Sequence, residues 1–65
     1  MTAEKILEMA VYSKTKKNYC VIINEVSIFF DEIKETKSCG VLRIEFFLHG
    51  ERIARIPVNN INNYY

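Results

Sequence analysis

Glycine and proline are nearly missing from this chain: Gly40, Gly50 and Pro57 are the only ones in 65 residues. Neither G-x-x-x-x-G-K nor G-x-G-x-x-G occurs, which excludes a glycine-rich loop that cradles phosphate. Long apolar runs are also lacking. Runs such as 21–23, 28–30 and 46–48 fall far short of the ~20 residues a membrane-spanning helix needs. The N-terminal MTAEKILEM carries Glu4, Lys5 and Glu8 and has no apolar signal core. The expectation is a soluble, cytoplasmic protein with reduced thiols. Charge of one sign is missing too: nine Lys and Arg against eight Asp and Glu leave +1, unlike the markedly basic domains that grip nucleic acid strongly. With two cysteines, Cys20 and Cys39, and one histidine, His49, no zinc-ligand spacing can be assembled. No metal and no cofactor are expected.

What the chain has is apolar mass: 49% hydrophobic residues, with four Tyr and four Phe. One small domain spanning residues 1–65 is the only organisation the length allows. Ordering it costs about 1.5 kcal/mol per residue, so a chain of this size is marginal unless something outside it adds burial. Self-association as a homo-oligomer, or a protein partner, is the expected remedy.

Ala3, Ile6, Leu7, Ala10 and Val11 follow helical spacing among good helix formers, with Thr2 available as N-cap. The pattern predicts a short helix ending near Met9; continuation to Lys14 is the competing reading. Next, AVYSKTKKNYCVII reads as a hairpin with SKTKKN as its turn, and YCVIIN is β-branched and aromatic. EVSIFFDEIKE is ambiguous. Val26, Phe29, Phe30 and Ile33 form a helical stripe that Asn24 could cap, whereas Val26, Ile28 and Phe30 alternate as a strand does. The Val-Ser-Ile-Phe-Phe core favours the strand. ETKSCG reads as a loop.

GVLRIEFFLHGERIARIPV reads as two strands around a tight turn, with Leu42, Ile44, Phe46, Ala54, Ile56 and Val58 on the inner face. A two-residue His49-Gly50 turn would pair Phe46 with Ile53 and Ile44 with Arg55, mixing the faces, so it is rejected and a three-residue loop is expected. Loop 48–50 suits Gly50 and pairs Ile44 with Ala54. Loop 49–51 pairs Glu45 with Arg55 and Phe46 with Ala54. Pro57 makes the last strand an edge or ends its pairing. The expected fold class is therefore α+β and β-rich: a short N-terminal helix and an antiparallel meander of four to five strands. An all-β small barrel is the alternative.

No constellation carries catalysis. His49 sits at a turn tip with no cavity to exclude water, and Asp31, Glu32 and Glu35 read as a solvated strand end. Cys20 reads as a small core residue and Cys39 as an exposed thiol. Two surfaces remain. The outer face of the hairpin, with Val41, Arg43, Glu45, Phe47, Ile53 and Arg55, mixes apolar residues and arginine as interfaces do. The turn region of Tyr12, Lys14, Lys16, Lys17 and Tyr19 interleaves lysines with aromatics, as small β-folds holding single-stranded nucleic acid or nucleotides do.

The order AVYSKTKKNYCVIINEVSIFF and then GVLRIEFFLHGERIARIPVNNI, with Val58 and Ile61 following the hairpin, resembles short phage- and prophage-type β-meander proteins. The resemblance covers residues 10–61 and rests on hydrophobic alternation. It implies a compact accessory protein, of the kind that blocks a host enzyme or defence system, and carries over no functional residue. The functional expectation is a non-enzymatic protein-interaction or inhibitor module acting through a sheet face or edge.

Overall fold

A computed structural model describes residues 2–62. Helix α1 (Ala3–Met9) is followed by strands β1 (Val11–Ser13), β2 (Asn18–Ile23), β3 (Val26–Phe30), β4 (Glu32–Ser38), β5 (Val41–Leu48) and β6 (Glu51–Pro57), then a 3-10 turn at Val58–Asn60. All pairing is antiparallel, in two three-stranded sheets ordered β1-β2-β3 and β4-β5-β6. The α+β, β-rich class therefore holds, but the strands number six and the two sheets do not close into a barrel.

The sixth strand joins the end of the segment expected to continue the EVSIFFDEIKE strand to residues 35–38, expected as a loop. Glu32–Ser38 pairs along its whole length with β5, from Glu32 opposite Phe47 to Ser38 opposite Val41. Its polar side chains hid it, since an edge strand facing water needs few apolar residues. At the N-terminus, Thr2 Oγ1 accepts from the Lys5 amide at 3.2 Å, and α1 stops at Met9 before the chain extends into β1.

Three two-residue turns drive the meander. Asn24-Glu25, Cys39-Gly40 and His49-Gly50 each place both residues at positive φ, the geometry that matches the twist of antiparallel strands. The last of these corrects the expected three-residue loop. Leu48 pairs directly with Glu51, and a β-bulge follows: Phe47 faces Arg52 and Phe46 faces Ala54, leaving Ile53 as the extra residue. Beyond the bulge, Glu45 opposes Arg55 and Ile44 opposes Ile56, the pairing expected of loop 49–51. The bulge absorbs the one-residue slip that a regular ladder would have passed to every later side chain.

The core lies between the sheets and is built from Ile6, Val21, Ile23, Ile28, Phe30, Ile44 and Phe46. An aromatic row runs into it: Tyr12 meets Tyr19 at 4.8 Å, Tyr19 stacks on Phe30 at 5.5 Å, and Phe30 meets Phe46 edge-on at 5.1 Å. Helix α1 inserts Ile6 and packs on β2 and β4, where the Ala3 amide donates to the Glu35 carboxylate. It thereby covers one open side of the sheet pair. Cys20 is not a core residue: Tyr19, Val21 and Ile23 take the inner face of β2, and alternation turns Cys20 outward, half-buried.

Candidate binding groove

On the side away from α1 the sheets stay apart. A groove of about 740 Å³ opens there, walled by β3 and β6. Its lining is mainly apolar, with Val26 and Phe29 on one wall, Ile53 and Ile56 on the other, and Leu48 at the end of β5. Val26, Phe29 and Ile53 are 61%, 45% and 46% exposed, so the groove is lined by apolar surface in contact with water.

Topology explains the opening. β3 pairs only with β2 and β6 only with β5, so each presents an edge that no strand covers. The sheets are joined where β3 turns into β4 through Asp31, whose amide donates to the Phe47 carbonyl at 2.9 Å. The Asp31 carboxylate also accepts from the His49 amide at 3.0 Å, pinning the β5–β6 turn to this corner. Elsewhere, Asn24 donates through Nδ2 to the Asn60 carbonyl at 2.7 Å and accepts from the Asn62 amide at 2.8 Å. These bonds tie the β2–β3 turn to the chain after β6, beside the groove residues Asn24 and Asn60.

The buried charge nearest in the ladder to the groove residue Arg55 is Glu45, itself outside the groove lining. It lies mid-strand on the outer face of the second sheet, 9% exposed, and is bound by Arg52 at 2.8 Å from Nη1 to Oε2. The bulge makes this possible by setting Arg52 opposite Phe47. Arg55, the direct cross-strand neighbour of Glu45, has no ion-pair partner among the described residues and lines the groove.

The six residues expected at an interface therefore divide. Ile53 and Arg55 line the groove; Phe47 is half-buried with the Lys34 ammonium 4.9 Å from its ring centre, and Val41 and Arg43 are half-buried on the same sheet. Further apolar residues of the groove, among them Val26, Phe29, Leu48, Ala54 and Ile56, are not among the expected interface residues. The usable signal was topological, since one helix can cover only one of two open sides. In the lysine turn, Lys14, Lys16 and Lys17 are exposed, and Lys16 lies 5.8 Å from the ring centre of Phe29. Tyr12 and Tyr19 face each other, which leaves Tyr12 49% exposed and Tyr19 packed inward.

Among the described residues no three His, Cys, Asp or Glu side chains are grouped to hold a metal, both cysteines are free thiols, and no helix is long and apolar enough to cross a membrane. No family model matches the chain, and comparison with curated proteins and with solved structures returns no significant match.

Proposed function

We propose that this protein is a small non-catalytic binding module that takes an extended segment of a protein partner into the groove between β3 and β6. The observation that carries this reading is the pair of uncovered strand edges on either side of one apolar groove. Backbone amides and carbonyls on such edges are ready to form a ladder with an added strand, and flanking pockets then select its side chains. β3 is five residues long, so a matching segment would extend about 17 Å at 3.3–3.4 Å per residue. Among the described residues Arg55 is the one ionised side chain on the groove wall and has no anionic partner. It favours a segment that brings a carboxylate beside apolar residues. An inhibitor of the kind implied by the β-meander resemblance would work this way, holding a strand that its partner needs elsewhere.

The test is affinity capture of a partner from the native cell, followed by hydrogen exchange of the purified complex. Amides of β3 and β6 should gain protection, and Arg55→Glu should weaken binding at least about tenfold, the loss of a charge-assisted contact plus a new repulsion. Protection that spares both strands would sink the proposal. Protection at Tyr12, Lys14, Lys16, Lys17 and Tyr19, with oligonucleotide binding that weakens as salt rises, would support single-stranded nucleic acid as the ligand instead.

A further inference from the structure

A second apolar surface covers the outer side of the first sheet and meets the groove at Phe29. The cross-strand row Val11, Cys20 and Phe29, together with Ile22, points away from the core. Val11 is 72% exposed, Phe29 45% and Ile22 36%. The remaining outward positions on these strands, Ser13, Asn18 and Ser27, carry no charge. Charge appears only at the two ends. The β1–β2 turn holds exposed Lys14, Lys16 and Lys17, with the Lys16 ammonium leaning over the Phe29 ring; the β2–β3 turn, at the far end of β2, holds exposed Glu25.

A neutral apolar centre between a basic end and an acidic end is self-complementary in one arrangement. If two copies meet face to face about a two-fold axis running across the strands, the strand directions reverse, and the lysine turn of each lies on Glu25 of the other. With the axis along the strands, lysines would meet lysines. We infer that a second copy of this chain covers the outer face of β1–β2–β3 in the first of these arrangements, an isologous pairing. The face shares Phe29 and Ser27 with the groove lining, while Val11, Cys20 and Ile22 lie outside it.

The size of the face sets its strength. Three strands about 4.8 Å apart, rising about 3.3 Å per residue, make a surface of roughly 14 by 18 Å. That is well under the ~800 Å² per partner of a standard stable interface, so the dimer is of the weak, transient class.

Sedimentation velocity from about 10 μM to about 1 mM tests it, alongside amide chemical shifts over the same range. Wild type should pass from monomer to dimer, with concentration-dependent shifts at Val11, Cys20, Ile22 and Phe29. Ile22→Lys should abolish the transition while leaving the far-ultraviolet spectrum unchanged. Lys16→Glu and Glu25→Lys should each weaken association roughly three- to tenfold, since each acts at both ends of the pair. The double variant Lys16→Glu/Glu25→Lys should regain most of it, a recovery that damage to the fold would not produce. A strict monomer at about 1 mM, a dimer indifferent to Ile22→Lys, or a double variant as weak as the singles would overturn the proposal.

Discussion

Glu25 occupies φ +69°, a left-handed conformation that costs an ordinary L-residue roughly 1–2 kcal/mol because its Cβ crowds the following carbonyl. Its neighbour Asn24, at +51°, belongs to a residue type that tolerates the region and spends its side chain on the Asn60 carbonyl and the Asn62 amide. Replacing Glu25 with glycine should remove the strain, partly offset by glycine's greater freedom in the unfolded chain. Glu25→Gly is expected to raise unfolding free energy by about 0.5–1 kcal/mol in urea titrations of the monomer. A loss of stability would mean that the turn is not left-handed at this residue. At the other hairpin tip, His49 is held by its amide on Asp31 and its side chain is 84% exposed, so the sole histidine serves the corner through its backbone.

At the scale of elements, the β5–β6 hairpin reconciles two requirements that a regular ladder cannot meet together. The His49-Gly50 turn wants two residues, and the inner face wants Phe46 opposite Ala54. One bulged residue, Ile53, satisfies both and sets Arg52 on Glu45. Deleting Ile53 should therefore leave the turn and the core register intact, with Phe47 facing Arg52 and Phe46 facing Ala54 in a continuous ladder. Cross-strand Hα contacts between those pairs in an NMR spectrum would show it. A shift that pairs Phe46 with Arg52 would refute the bulge as the compensating device. The residue types in 41–58 made both faces legible, but the alternation does not reveal a bulge, because the slip and its correction cancel over the strand. The separation of β4 from β3 and its run through 35–38 were illegible for a different reason. Glu32, Lys34, Glu35 and Lys37 are exposed, and only Ile33 and Thr36 are partly buried, so hydrogen bonding to β5 defines the strand where hydrophobic period could not.

At the scale of the whole molecule, seven apolar residues make the core of a 65-residue chain. Domains hold about 0.05–0.15 kcal/mol of stability per residue, which puts the total here at roughly 3–10 kcal/mol. Phe46 is fully buried and touches Phe30 edge-on. Removing its ring costs about 3–5 kcal/mol in transfer and cavity terms. Phe46→Ala should thus lower the unfolding free energy of the monomer by about 3–5 kcal/mol in urea titrations, and an unchanged midpoint would mean that the core tolerates a large void. The same economy of size explains the groove: with one helix and two sheets, the chain covers one open side and leaves β3 and β6 facing water.

By itself the sequence determined the short capped helix, the strand character of 19–23 and 41–57, and the inner face of the last hairpin, because each is written in local periodicity and turn chemistry. Tertiary structure alone decided which strands are edges, which open side α1 covers, and that Cys20 turns outward while Arg55 is left without an anion beside a groove. Those outcomes depend on how two sheets meet around Asp31, a long-range relation that no stretch of five or ten residues encodes.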